Sequence, residues 1–171
     1  MTAAVKPVGA SNTTGQVRGL RTNALAGLVM LIIEYGLGAW TSLYAQLPAS
    51  DHGKATFAAF AGAVAHGPVG LALHALLGTL LIITAVSVIV RAALVRHAAP
   101  TVLGCVALIA LLAAWFSGTK FVSDEANGAS FGMAVATAVA ILGYAIILFI
   151  AVPASGRAKV PPGAEQTVRT R

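Results

Sequence analysis

Four long apolar runs, at about 24–47, 68–90, 101–118 and 130–152, alternate with short polar breaks along the chain. Each is close to the roughly 17 to 25 residues a helix needs to cross a hydrocarbon core. The pattern predicts an all-α integral membrane protein, folded as an up-down-up-down four-helix bundle. Residues 21–153 form one four-span domain in this reading. The flanking segments 1–20 and 154–171 are rich in small residues and proline and lack periodicity, so they read as disordered tails.

The breaks differ in character. The first, about 48–67, is the longest, and Phe57, Phe60 and Val64 fall on one helical face within it. It reads as a short helix on the outer membrane surface or as an early start of the second span. His66-Gly67-Pro68 favours the separate helix, because proline suits a first helical turn. The middle break, 91–100, is short enough to make the second and third spans neighbours. The last break contains Asn127-Gly128, a turn dipeptide.

Composition agrees with a membrane solvent. Hydrophobic residues make up 58% of the chain and charged residues 9%, against about 25% charged in soluble domains. The net charge of +6 is distributed by side. Nine of the eleven basic residues lie before the first run, between the second and third, or after the fourth. Lys54 and Lys120 occupy the other two breaks, with Asp51, Asp124 and Glu125. The positive-inside rule then places both termini and the middle break in the cytoplasm of a bacterial plasma membrane. This sorting explains the charge without nucleic acid, and the lipid bilayer is the expected surrounding. The first run is too long for the apolar region of a signal peptide, and three more runs follow it. The single cysteine, Cys105, excludes an internal disulfide.

Lipid supplies no hydrophobic drive between helices, so small residues must let them approach closely. Gly132, Ala136, Ala140 and Gly143 form such a stripe on the fourth run. Gly104, Ala107, Ala110, Ala114 and Gly118 form one on the third. Trp40, Tyr44 and Trp115 lie toward the outer ends of their runs, as interfacial aromatics do.

Ionisable residues inside a span are costly and therefore informative. Glu34 lies near the middle of the first run, on one face with Gly38 and Thr41, so it points into the bundle. His74 lies between Gly70 and Gly78, each one turn away. That face admits either a neighbouring helix or a flat ring such as haem, for which histidine is an axial ligand. His66, eight residues earlier, sits on a similar face and is expected to be buried with Glu34 and Thr41. The other three runs contain no histidine, so the remaining candidate for a second axial ligand is Met133. Counted from the outer ends, Glu34 sits about 10 Å deeper than His74. Thr41 or Ser42 is then the better-placed partner for His74.

No G-x-x-x-x-G-K-[ST], H-E-x-x-H or paired Cys-x-x-Cys motif occurs in the chain. No catalytic residue or metal cluster is predicted, and the soluble segments are too short for a catalytic domain.

The stretch Glu34-Tyr35-Gly36-Leu37-Gly38-Ala39-Trp40 with Ser42-Leu43-Tyr44 and Pro48 resembles the first span of a group of small four-helix membrane proteins of high-GC, actinobacterial-type bacteria. His66-Gly67-Pro68 with Leu71, His74 and Gly78 resembles the second span of that group. Asn127-Gly128-Ala129-Ser130-Phe131 with Met133-Ala134 resembles its last outer loop and fourth span. The group is uncharacterised, so the resemblance implies an architecture and no activity. More loosely, the arrangement is similar to one half of haem A synthase or to a cytochrome b561-type bundle.

Three functions are therefore expected. The first is a non-catalytic accessory or interaction protein, working with a membrane-protein partner or as a homo-oligomer. The second is a haem-binding redox protein with His74 and Met133 as ligands. The third is a small proton or solute conductor using Glu34.

Overall fold

The computed structural model describes residues 10–44, 53–124 and 127–151, all or nearly all helical. The helices are α1 (Ala10–Tyr44), α2 (Thr56–His66), α3 (Val69–Leu94), α4 (Ala98–Asp124) and α5 (Asn127–Ile150). α1, α3, α4 and α5 are long and apolar enough to cross a membrane, with mean hydropathies of 1.6 to 2.5 over their most apolar stretches. Their outward faces are apolar: Leu43, Val69, Ile109 and Phe149 are each more than 60% exposed. Such a surface needs lipid around it.

Element boundaries depart from the sequence expectation in three places. α1 begins at Ala10, well inside the segment assigned to a tail, because Val17, Leu20 and Ala24 continue its buried face toward the N-terminus. α4 runs through Lys120 to Asp124, so the last break shrinks to a short link. Asn127-Gly128 opens α5 rather than forming a free turn. The rest of the N-terminal tail, the C-terminal tail and the end of the first run at Leu47 and Pro48 lie outside the described residues.

α1 and α5 bury residues at alternating spacings of three and four, the narrow seam of helices packed side by side. On α1 the seam is Val17, Leu20, Ala24, Gly27, Leu31, Glu34, Gly38 and Thr41. On α5 it is Thr137, Ala140, Tyr144, Ile147 and Ala151. α1 packs on α3 and α5, α4 packs on α3 and α5, and α2 packs on α3 and α4.

The α1–α3 register is fixed by close approaches. The Arg91 guanidinium lies over Gly19, and Trp40 lies against Gly70. Asn23 donates to Ser87 Oγ at 3.0 Å. Gly38 faces His74, and Gly78 faces Glu34. Residue numbers thus rise along α1 as they fall along α3. On α1 and α5, Gly27 lies under the Tyr144 ring, and Ser42 and Ser130 share a hydrogen bond of 3.1 Å.

α2 is a separate helix, as the proline predicted, and it packs on the bundle through small residues. Ala59, Gly62 and Ala63 are buried, while Phe57 is 74% exposed. Small residues let α2 lie close on α3 and α4. Phe57 and Phe60 reach sideways to the Trp115 ring, at centroid distances of 5.8 and 5.3 Å. Gly53, in the left-handed region at φ 71°, precedes α2 and donates to the Ser123 carbonyl at 3.0 Å. This ties the start of α2 to the end of α4.

Candidate functional site

Two apolar clusters divide the interior. The larger joins Leu20, Leu31, Leu81, Val88, Leu111 and Tyr144 with smaller residues and fills the half nearer the α3–α4 turn. The smaller joins Ala59, Ala63, Leu71 and Val122 under α2. Between them lies a cavity of about 70 Å³ to which all five helices contribute. Its walls carry the buried polar residues Glu34, Thr41, Thr119 and Thr137, together with His74.

His74 Nδ1 lies 2.9 Å from Glu34 Oε1. Sequence counting sets these groups about 10 Å apart in depth and gives His74 to Thr41 or Ser42. The close approaches explain the correction. Gly38 faces His74 and Gly78 faces Glu34, so the two side chains sit on neighbouring rungs of the α1–α3 contact, about 6 Å apart along the axis. The side chains close that gap. Thr41 instead donates to the Gly38 carbonyl at 2.9 Å, and Ser42 is held by Ser130.

The contact is a close approach of two ionisable groups. The imidazole N–H is not aimed at the carboxylate with hydrogen-bond geometry, and Glu34 Oε2 is buried without a partner. The Glu34 side chain is 8% exposed and that of His74 16%. Separating such a pair by deleting one member leaves an uncompensated buried charge.

The hydroxyls on the walls are already committed as donors. Thr41 donates to Gly38 O, Thr119 to Phe116 O at 2.8 Å, and Thr137 to Met133 O at 2.9 Å. Each hydroxyl then offers only lone pairs. The remaining wall is apolar or aromatic, with Phe60, Trp115 and Phe121 among its residues.

The residues expected at the site divide accordingly. Glu34 and Thr41 are buried, at 6% and 3% exposure. Met133 lines the same cavity as His74, beside Gly118. His66 is exposed at the end of α2, contrary to the expected burial. α2 ends there, and the bend at Gly67 and Pro68 takes His66 off the α3 face that carries His74. Thr119, Thr137 and Trp115 went unnoticed as site residues. Their signal was present: Thr137 is one turn from Met133 on the α5 seam, and Thr119 lies just past the expected end of the third span.

The fit to haem is poor. The flat faces at Gly70 and Gly78 are occupied by Trp40 and Glu34 of α1. A neighbouring helix, not a ring, takes the close approach the glycines permit. The cavity is also several times smaller than the roughly 300 to 1,000 Å³ of cofactor-sized pockets. Among the described residues no group of three or more His, Cys, Asp or Glu is placed to hold a metal ion.

The chain matches no protein-family model, no curated protein and no solved structure.

Proposed function

We propose that the chain is a non-catalytic accessory protein of a bacterial plasma membrane that holds a small ligand in the cavity around Glu34 and His74. In this reading the four long helices cross up-down-up-down as a bundle with both termini in the cytoplasm, and α2 covers the outer end. The sorting of basic residues supports the orientation. The lipid-facing helix surfaces serve for docking to a membrane-protein partner or a second copy. The observation that carries the ligand site is the Glu34 carboxylate. It is 6% exposed, touches one imidazole, and keeps its second oxygen without a partner on the wall of a cavity. Tight structural packing would have filled that space with side chains.

Native mass spectrometry of the full chain, released gently from detergent, tests this reading. A small adduct on the wild-type chain is expected. It is expected to vanish in the double variant Glu34→Leu, His74→Leu, which replaces a buried pair with apolar residues and should fold. A wild-type chain that flies without any adduct, from membranes as well as from detergent, overturns the ligand site.

A further inference from the structure

We propose that the ligand of this cavity is a small ammonium cation, free ammonium or a short primary amine, bound through Glu34. The inference rests on the ligand-site reading above and adds the chemistry of the occupant.

The polar lining selects for donors. Thr41, Thr119 and Thr137 have spent their hydroxyl protons on helix carbonyls and present lone pairs. Glu34 is a carboxylate with a buried, unpartnered oxygen. An ammonium group brings three or four N–H donors and a positive charge, and acceptors of these kinds are present on three of the helices. A neutral acceptor such as a carbonyl or ether would find the His74 imidazole and little else. An anion would meet Glu34.

The rest of the wall favours the same class. Trp115 and Phe60 pack together with ring centroids 5.3 Å apart, and both line the cavity. Aromatic faces attract cations within about 6 Å. Size narrows the class further. A cavity of about 70 Å³ has room for a small ammonium. Among the described residues the wall carries one carboxylate, and its other oxygens are neutral hydroxyls, a weak set for a divalent metal.

Charge sets the terms of binding. Glu34 from α1 and His74 from α3 are the titratable groups on the cavity wall, and α2, α4 and α5 contribute none among the described residues. Glu34 is thus the one acid that faces an incoming cation among the described residues.

The test uses the full chain in lipid nanodiscs with methylammonium chloride as the probe. Trp40 and Trp115 are the two tryptophans of the chain, so Trp40→Phe leaves the cavity indole as the sole reporter. A saturable change in Trp115 fluorescence is expected. It should shift to at least about tenfold higher methylammonium in Glu34→Gln, as for loss of one charge-assisted contact. Thr119→Val, which keeps the side chain's shape, should weaken binding severalfold and covers the case in which Glu34→Gln fails to fold. Equal responses to potassium chloride, or an unchanged response in Glu34→Gln and Thr119→Val, overturn the proposal. A silent Trp115 in a chain that carries an adduct by mass spectrometry overturns the ammonium assignment and leaves the ligand site standing. A silent Trp115 without an adduct overturns both.

Discussion

Along the α1 seam, Leu20, Ala24, Gly27 and Leu31 lie in one half of the molecule and Glu34, Gly38 and Thr41 in the other. The backbone spacing is the same in both, yet the packing differs. In the half toward the α3–α4 turn, the Tyr144 ring sits directly on Gly27, and Leu31, Leu81 and Tyr144 are fully buried. In the half toward α2, the side chains stop short of one another and leave a cavity lined by Glu34, His74 and three threonines. One half follows the rule that membrane helices pack through small residues and large complements. The other half gives up that packing at the level where the chain carries its intramembrane charges. The cavity and the ionisable pair thus fall in the same half.

The largest expected effect breaks the charged half. His74→Ala leaves Glu34 buried without its partner and should destabilise the fold by about 3 to 5 kcal/mol. Unfolding by SDS titration of the detergent-purified chain measures it. Glu34→Leu combined with His74→Leu should recover most of that loss, since apolar residues of similar volume often replace buried pairs without cost. A double variant as unstable as His74→Ala would show that the pair is needed for folding rather than for binding.

The next effect breaks the apolar half. A Cβ on Gly27 would overlap the Tyr144 ring, and Tyr144 is fully buried with no free side to turn toward. Gly27→Ala should cost about 1 to 3 kcal/mol by overpacking, read by the same titration. Gly36, also on α1, has nothing within 4 Å of an added Cβ, so Gly36→Ala should leave stability unchanged or slightly raised. Equal effects at the two positions would contradict the α1–α5 register.

These contrasts also show which parts were legible in the sequence. Run length sufficed for four helices capable of crossing a membrane. The Glu34, Gly38 and Thr41 face was readable because spacings of four and three repeat on a seam. Depth across two helices was not. It depends on where each helix ends and how far one slides along the other, and several residues of error changed the partner of His74. The face α2 turns to the bundle was not legible, because Phe57 and Phe60 are the most apolar residues there. In lipid, large side chains gain nothing by turning inward, and alanine and glycine make the contact instead.

A smaller effect concerns the α1–α3 contact itself. Asn23 donates to Ser87 at 3.0 Å, about three helical turns from Glu34. Such interhelical bonds average about 0.6 kcal/mol in membranes. Asn23→Ala should cost about that amount, well below His74→Ala. A loss several times larger would mean that Asn23 holds the register on which the Glu34–His74 contact depends.

The smallest expected effect sharpens the comparison most. Each half contains a buried oxygen without a partner: Glu34 Oε2 beside the cavity and the Tyr144 hydroxyl in the closed cluster. On the ligand-site reading the two are unlike. The carboxylate oxygen awaits an occupant, while the hydroxyl is a packing by-product of the ring on Gly27. Removing an unsatisfied hydroxyl from an apolar site is neutral or stabilising, so Tyr144→Phe should leave the SDS midpoint within error of wild type or raise it slightly. A conductor using Glu34 would need a polar path onward through the apolar half, and Tyr144 is the group placed to provide one. In that case Tyr144→Phe should break a water-linked network and lower stability by more than about 1 kcal/mol, together with any proton flux in proteoliposomes. A neutral Tyr144→Phe closes the apolar half to protons and confines the chemistry of this chain to the cavity beneath α2.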